Sequence, residues 1–279
     1  MPETIIAMHN VSFDYKGGTQ ALKAVSLSVA AGEFVAVAGR NGSGKTTLTR
    51  LTMALIKPVG GVIKVCEKDI TSCCPADMAR RIGYVFQNPD RQIFRNTVVA
   101  EVAYGPEQIG FTKAETVKAV AEALAMTGLT SLAEAYPRTL TRGQKQKVAI
   151  ASALAMRPEV LILDEPTSGQ DPWETQTLMK LLTELNGRGM TIILVTHDME
   201  LIAGYASRVV VLSEGRKVFD GLPSSLFGGD YNVAEWGLAL PTAAFLARKL
   251  KVAGESPADL DGLVNSLYRK LRTGGECHA

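Results

Sequence analysis

The residues of this chain best suited to chemistry are Gly39, Gly44, Lys45 and Thr46, whose spacing matches that of a phosphate-binding glycine loop. In such a loop, consecutive backbone N–H groups point into one concavity and bind phosphate oxygens, assisted by the positive end of the following helix. Lys45 can reach the β- and γ-phosphates of a nucleotide, and the Thr46 hydroxyl can ligate Mg²⁺. The alternative interpretation is a glycine-rich turn between a strand and a helix.

A pair of carboxylates follows another apolar strand. Residues 160–163 are all apolar, which is typical of a central parallel strand that is buried on both faces. Asp164 ends this strand, where an open α/β sheet places its ligands, and would hold Mg²⁺ through water. Glu165 comes next and would polarise the water that attacks the γ-phosphate. The alternative is a carboxylate pair that only caps the end of a strand.

Two more polar side chains follow predicted strands. His197 follows the apolar strand 191–195, from which it can reach the γ-phosphate, although a histidine in isolation is more often structural. Gln87 ends the strand 82–86 and has a side chain that can reach a metal ion. Alone it would be an ordinary loop residue, but beside the glycine loop and the carboxylates it is a candidate ligand.

The elements around these residues predict an α/β fold that begins with an antiparallel β subdomain. Residues 5–15 form a predicted strand, and residues 25–29 alternate apolar side chains with serine, as in a half-buried strand. A helix is predicted at about 45–55, and Gly60 and Gly61 are expected to break the chain before a strand at 62–65. Further strands are predicted at 34–38, 82–86, 160–164, 191–196, 208–213 and 217–220. Further helices are a short one at 76–81, one that starts at Pro172 with Asp171 as its N-cap, and a short one after the strand 191–196.

The middle of the chain has helical patterns instead. Thr112 and Glu115 form a capping box, and a second helix is predicted to start near Arg142. We interpret residues 96–156 as a helical subdomain inserted into an α/β core that comprises residues 1–228.

Residues 229–279 form a predicted C-terminal helical extension. Residues 256–259 cap a predicted helix, with acids near its start and bases near its end, as the helix dipole favours. One apolar face of this helix must be buried, either on the chain's own core or on a partner chain. The apolar positions are Leu260, Leu263, Val264, Leu267 and Leu271.

Composition limits the functional classes. The chain has 279 residues, of which 46% are hydrophobic, and a formal net charge of +2, which gives no electrostatic argument for a nucleic-acid partner. No stretch approaches the ~20 apolar residues that cross a bilayer, and the N terminus lacks the pattern of a secretion signal. We therefore expect a soluble, cytoplasmic chain. The four cysteines fit no zinc spacing and are expected to be reduced thiols: Cys66, Cys73, Cys74 and Cys277.

The set of motifs resembles the ATP-binding subunits of ABC transporters over about residues 3–225. In the family's terms, the segments are the Walker A loop 39–47, the Q-loop glutamine Gln87, the signature 140–144, the Walker B strand with its catalytic glutamate 160–165, the D-loop 168–171 and the switch histidine His197. The resemblance implies a P-loop ATPase fold, with ATP and Mg²⁺ bound between two ATPase subunits. It also implies specific roles for individual residues.

The implied catalytic residues are Glu165, His197 and Lys45, and the implied metal ligands are Thr46, Gln87 and Asp164. The implied nucleotide contacts are Tyr15, which would stack on adenine, with Gly39, Asn41, Gly42, Ser43, Gly44, Lys45, Thr46, Thr47, Gln87, Thr141, Gly143 and Gln144.

A narrower resemblance is to the ATPases of energy-coupling factor (ECF) transporters, which include importers of cobalt, nickel and vitamins. Residues 85–94, residues 102–107, and the tail with residues 237–241 and its amphipathic helix are similar to that group. The resemblance implies a second ATPase subunit, a transmembrane scaffold that docks near residues 87–94, and a substrate-binding membrane subunit. It further implies uptake of a vitamin or metal ion, powered from the cytoplasmic face of the membrane.

Two motifs, the signature and the D-loop, depart from the family pattern. The signature is usually Leu-Ser-Gly-Gly-Gln, but this chain has Thr141 and Arg142 at the second and third positions, and Gln170 replaces the usual leucine of the D-loop. The Arg142 side chain can hinder the approach of a phosphate, whereas its charge can partly compensate. The changes in the signature and in the D-loop affect the site that a second subunit would complete. We therefore hypothesise a heterodimer of similar ATPases with unequal sites.

Three alternatives remain. A soluble ABC ATPase that acts on DNA or ribosomes usually has a long coiled coil or two cassettes, and this chain has neither. A regulatory, weakly catalytic nucleotide-binding subunit is consistent with Arg142. A different P-loop enzyme, such as a small-molecule kinase, is disfavoured by Gly143 and Gln144 before an alanine-rich helix, and by His197.

Overall fold

Two β-sheets and ten helices make up the described part of the chain, which in this computed structural model is residues 3–18, 20–229, 231–250 and 260–272. The elements, in order, are β1 Thr4–Asp14, β2 Gln20–Ala30, β3 Phe34–Ala38, α1 Lys45–Thr52, β4 Gly60–Val65, β5 Lys68–Asp69, α2 Pro75–Ala79, β6 Ile82–Val85, α3 Val98–Gln108, α4 Lys113–Thr127, α5 Arg142–Ala155, β7 Val160–Asp164, α6 Pro172–Gly187, β8 Thr191–Val195, α7 Met199–Tyr205, β9 Arg208–Ser213, β10 Arg216–Gly221, α8 Pro223–Gly228, α9 Thr242–Lys249 and α10 Leu260–Arg272. None of the helices in these ranges is long and apolar enough to cross a membrane.

The larger sheet has the strand order β10-β9-β3-β8-β7-β6, in which β10 is the antiparallel edge strand and the other five are parallel. Every residue of β3, β7 and β8 is buried, which explains their unbroken apolar sequences. Because the strands are parallel, their carboxyl ends lie at one edge of the sheet. The residues that follow β3, β6, β7 and β8 are therefore brought to that edge.

The smaller sheet is antiparallel, in the order β2-β1-β4-β5, and forms the N-terminal β subdomain that the sequence predicts. The expected break at Gly60 and Gly61 is wrong, because both residues belong to β4. Gly60 pairs with Ser12 next to a register shift. Gly61 has a φ of +84°, and a Cβ at this position would overlap the carbonyl oxygen of Asn10. The glycines therefore allow an irregular pairing with β1 and do not end the strand.

Other boundaries differ by a few residues. Helix α1 ends at Thr52, three residues before the predicted end, because Ala54 adopts a left-handed conformation with φ of +54°. Strands β6 and β8 each end one residue earlier than predicted, and β10 extends one residue further at both ends. Helix α2 occupies Pro75–Ala79, slightly before its predicted position.

Helices α3, α4 and α5 all lie between residues 96 and 156 and share a core with one face of the larger sheet. Thr112 caps α4 as predicted, since its hydroxyl accepts from Glu115 N at 3.3 Å while the Glu115 carboxylate accepts from Thr112 N at 2.8 Å. Helix α5 begins at Arg142, in agreement with the predicted start.

The C-terminal region contains α9, which the sequence patterns did not predict, and α10. Ala243 and Ala247 of α9 pack against Leu263 of α10. Val264 is 46% exposed in the single chain, so it is not buried on the chain's own core, and burial on a partner chain stays a prediction. The predicted cap at 256–259, the Leu260 and Leu271 side chains, and Cys277 lie outside the described residues and side chains.

Candidate functional site

The phosphate loop, residues 39–47, connects β3 to α1. Its glycines Gly39, Gly42 and Gly44 have positive φ angles of +147°, +81° and +106°, which other residues adopt only with strain. Lys45 is 5% exposed and its ammonium donates to the carbonyl oxygens of Gly39 and Arg40, at 2.5 and 3.0 Å. The lysine therefore lies across the loop, with its charge at the loop's concave side.

Burial lowers the pKa of Lys45, and the nearby carboxylates of Glu165 and Asp164 oppose this shift. The opposing carboxylates favour the charged form of this buried ammonium against the effect of burial. A buried cation of this kind suits a polyanionic ligand, because each hydrogen bond it donates to a phosphate oxygen is charge-assisted.

We expect Gly44→Ala to lower the free energy of unfolding by about 3 kcal/mol, because the backbone strain of a positive φ and the steric overlap of the new Cβ both destabilise the folded state. A Cβ at Gly44 would lie 2.6 Å from the Ala21 carbonyl oxygen and 2.7 Å from Leu22 Cδ2. Gly42→Ala is the matched control, since φ is also positive there but nothing lies within 4 Å of the added Cβ. It should cost about 1 kcal/mol. Urea denaturation of both variants measures the difference, and equal losses would contradict the steric argument.

Ser43 and Thr47 belong to the loop, and Tyr15 contacts it through Thr47. The Ser43 hydroxyl is buried and has no hydrogen-bond partner among the described residues, so a phosphate oxygen would satisfy it. The Tyr15 hydroxyl lies 3.1 Å from Thr47 Oγ1, and its ring packs edge-on against Phe13. Tyr15 is 38% exposed, which leaves part of the ring available to a base, and Asn41 is exposed at the tip of the loop.

The residues predicted to hold Mg²⁺ through oxygen are partly in contact. Thr46 Oγ1 donates to Asp164 Oδ2 at 3.2 Å, and the Tyr84 hydroxyl donates to the same oxygen at 3.2 Å. Burial raises the pKa of Asp164, and the two hydroxyl donors oppose this. Within the described ranges, no cluster of three or more His, Cys, Asp or Glu could hold a metal alone. A hydroxyl, a carboxylate and nucleotide phosphates form the oxygen set that Mg²⁺ prefers.

Glu165 is the centre of a second group of side chains. Its carboxylate accepts from Gln87 Nε2 at 2.9 Å and Ser168 Oγ at 3.3 Å, and its other oxygen lies 3.1 Å from His197 Nδ1. The Glu165 backbone has φ of +47°, and its N–H donates to Val195 O of β8 at 2.8 Å. Residues far apart in sequence therefore converge on one carboxylate.

Gln87 contacts Glu165 and not Asp164, so its role as a metal ligand remains a prediction. Sequence reasoning missed Tyr84, the hydroxyl partner of Asp164. The available signal was a tyrosine in the otherwise aliphatic strand β6, since a buried phenol usually needs a polar partner. Burial raises the pKa of Tyr84, so the phenol stays protonated as a donor.

The signature, residues 140–144, lies at the start of α5. Thr141 is the N-cap: its hydroxyl accepts from Gln144 N at 3.2 Å, and Gln144 Oε1 accepts from Thr141 N at 2.9 Å. Gly143 is buried against the carboxylate of Glu174. No hydrogen bond among the described residues joins Thr141, Gly143 or Gln144 to the phosphate loop. Within one chain, these predicted nucleotide contacts are not part of the same site.

The two departures from the family pattern are neighbours in space. The Arg142 guanidinium lies against Gly169 of the D-loop, where an added Cβ would be 3.0 Å from Arg142 Cζ. Arg142 makes no ion pair in the described part of the chain. The adjacent Gln170 has a buried Oε1 without a partner there, and it lines a cavity of about 290 Å³ together with Gly143 and Gln146.

Residues 22–168 match the ABC transporter family. The energy-coupling factor transporter ATP-binding protein EcfA of Methanocaldococcus jannaschii is 38% identical over 269 residues, which is 96% of this chain and 96% of that protein. A putative ABC transporter ATP-binding protein of Methanosarcina acetivorans is 39% identical over 249 residues, which is 89% of this chain. The chain spans only 41% of that longer relative, and 44% and 42% of two others.

Solved structures share the fold. CbiO1 from Clostridium perfringens, described as part of the ABC transporter complex CbiONQ, has a TM-score of 0.77 at 36% identity, covering 88% of this chain and 99% of that chain. The ATP-binding cassette MJ0796, described as a dimeric post-hydrolysis state with ADP and Pi, has a TM-score of 0.70 at 30% identity, covering 78% and 98%. Sequence and fold agree: the chain belongs to the ATPases of ABC transporters, and its relatives of similar length include energy-coupling factor transporter ATP-binding proteins from three archaea.

Proposed function

We propose that this chain hydrolyses ATP to power the uptake of a small substrate, a vitamin or a metal ion, by an ECF-type transporter. The observation that carries the proposal is the convergence of Gln87, Ser168 and His197 on Glu165, whose charge also acts on the buried Lys45. This arrangement supplies a phosphate-binding cation, a base for water and groups that orient the base. It is the set that phosphoryl transfer to water needs.

In the proposed reaction, Lys45 and the loop N–H groups bind the β- and γ-phosphates. Thr46 and Asp164 would hold Mg²⁺, which neutralises charge on the phosphates when it is bound. Glu165 accepts hydrogen bonds from Gln87 and Ser168, so its orientation is fixed before it meets the attacking water. His197 is 62% exposed, which lets it reach a γ-phosphate at the open side of the site. Catalysis rests on positioning and on charge stabilisation.

We infer that a second ATPase subunit completes the site. Support comes from the signature, whose N-terminal N–H groups at α5 suit a phosphate but make no contact with this chain's own loop. Arg142 and Gln170 favour a paralogue as the partner, because a pair of unlike subunits has one site with the family's usual signature. The dimeric state named for the relative MJ0796 is consistent with such a pair.

We infer that the membrane scaffold docks on the segment 88–94, at the cytoplasmic face, with a substrate-binding membrane subunit completing the transporter. Phe94 is 58% exposed in this segment, and Lys145 of α5 forms an ion pair with Asp90 at 2.8 Å. The ion pair connects the docking segment directly to the helix that carries the signature. Movement at the scaffold and closure at the nucleotide would therefore be coupled.

The test is to purify the chain alone and with a paralogous ATPase from the same genome, and to measure phosphate release and ATP-dependent pairing. We expect hydrolysis and pairing to be greater with the paralogue. Full activity of the chain as a homodimer would contradict the unequal pair. Pairing without phosphate release would favour the regulatory alternative, and no pairing in either preparation would reject the ATP-sandwich mechanism.

A further inference from the structure

Tyr84 is a buried residue in contact with the predicted metal ligand Asp164. It lies on β6, next to β7, and is 9% exposed. Its hydroxyl donates to Asp164 Oδ2 at 3.2 Å, and Thr46 Oγ1 donates to the same oxygen at 3.2 Å. A second threonine, Thr49, is fully buried and has Oγ1 3.2 Å from the Tyr84 hydroxyl.

The direction of these hydrogen bonds follows from the number of protons. An ionised carboxylate only accepts, so Tyr84 must give its single hydroxyl proton to Asp164. Thr49 must then donate, either to the Tyr84 oxygen or to the carbonyl of Thr46, which lies 3.0 Å from its hydroxyl. In either case Tyr84 donates to Asp164, and Thr49 lies beside the Tyr84 hydroxyl. Thr49 itself does not touch the carboxylate.

Both hydroxyl donors act on one of the two carboxylate oxygens. Asp164 Oδ2 accepts from Tyr84 and Thr46, whereas Oδ1 has no hydrogen-bond partner in the described ranges. A carboxylate fixed through one oxygen keeps the other as an acceptor in a defined position. If Tyr84 only needed an acceptor for its hydroxyl proton, either oxygen of Asp164 would serve, and the two donors would not need to share Oδ2.

We propose that Tyr84 is a positioning residue for the Mg²⁺ site: it fixes Oδ2 of Asp164, so that Oδ1 remains the acceptor for the cation or for its bound water. This inference rests on the proposed function, because the metal accompanies ATP there. Tyr84 does not touch the nucleotide in this arrangement and acts only through Asp164.

The test compares Tyr84→Phe with Thr49→Val. Each removes one buried hydroxyl of the same network at nearly constant volume, but only Tyr84→Phe removes a donor to Asp164. For both, the affinity for a fluorescent ATP analogue is measured in EDTA and across a Mg²⁺ titration, along with phosphate release and thermal unfolding. We expect Tyr84→Phe to raise the Mg²⁺ concentration at half-effect about tenfold, without changing metal-free nucleotide affinity.

Thr49→Val should leave the Mg²⁺ dependence at the wild-type value, while both variants lower Tm by a similar amount, about 2–4 °C. An unchanged Mg²⁺ dependence in Tyr84→Phe, or an equal shift in Thr49→Val, would overturn the inference. Absence of phosphate release from the wild-type chain together with its paralogue would reject the proposed function instead. The metal-dependent change in nucleotide affinity would still decide the role of Tyr84.

Discussion

Glu165→Gln is expected to lower the rate of ATP hydrolysis at least about a hundredfold while ATP binding is retained. The substitution keeps the size of the side chain and one carbonyl oxygen, but an amide cannot take a proton from the attacking water. Nucleotide binding should persist, because Lys45 and the glycines of the phosphate loop are unchanged. A slower chemical step with intact binding would also prolong the ATP-bound, paired state.

Glu159→Gln is the matched control, because Glu159 precedes β7 and Glu165 follows it, so the two carboxylates lie at opposite ends of one strand. Glu159 pairs with Arg81 at 2.9 Å, away from the site. Phosphate release, ATP affinity and ATP-dependent pairing are measured for both variants. Wild-type turnover in Glu165→Gln would remove Glu165 from its proposed role.

Lys45→Ala is expected to weaken ATP binding about 10- to 100-fold. Lys45 is 5% exposed, and its ammonium at present donates to two loop carbonyls, so it can exchange these acceptors for phosphate oxygens. Its removal also leaves the charges of Asp164 and Glu165 facing the phosphates without a compensating cation. At low ATP concentration the rate of hydrolysis should fall as well, because less ATP is bound.

Lys57→Ala provides the comparison. Lys57 also donates to two backbone carbonyls, but these belong to Ile70 and Cys73, which follow β5 and are not part of the phosphate loop. Loss of a similar lysine there should affect stability and not the dissociation constant for ATP. A fluorescent nucleotide titration of both variants distinguishes the cases. If Lys45→Ala bound ATP as tightly as the wild type does, the phosphate-binding assignment would be wrong.

Much of the site can be predicted from sequence, because chain order and parallel strands determine it. The phosphate loop consists of consecutive residues, so its spacing alone identifies it. Gln87 and His197 each follow a parallel strand, and parallel strands end at one edge, so their approach to Glu165 follows from topology. What sequence order does not specify is which side chains then form hydrogen bonds.

The contact between Tyr84 and Asp164 shows this limit. It depends on the register of β6 against β7, in which Val85 pairs with Leu163, and single-chain patterns contain no information on that register. The predicted break at Gly61 is wrong for a related reason. The positive φ of this glycine belongs to an irregular pairing between β4 and β1, and the sequence does not distinguish such a pairing from a break. Helix α9 is short and has no side-chain cap, so its sequence lacks a start signal.

The packing of Arg142 on Gly169 brings the signature and the D-loop into direct contact. In the proposed pair the signature would serve the neighbour's nucleotide, whereas Ser168 of the D-loop donates a hydrogen bond to Glu165, the proposed base of this chain's own site. A displacement at one nucleotide would thus be relayed to the chemistry at the other. Since a paralogue with glycine at the Arg142 position lacks the relay, cross-talk in such a pair would be one-way, with one subunit timing the other's turnover.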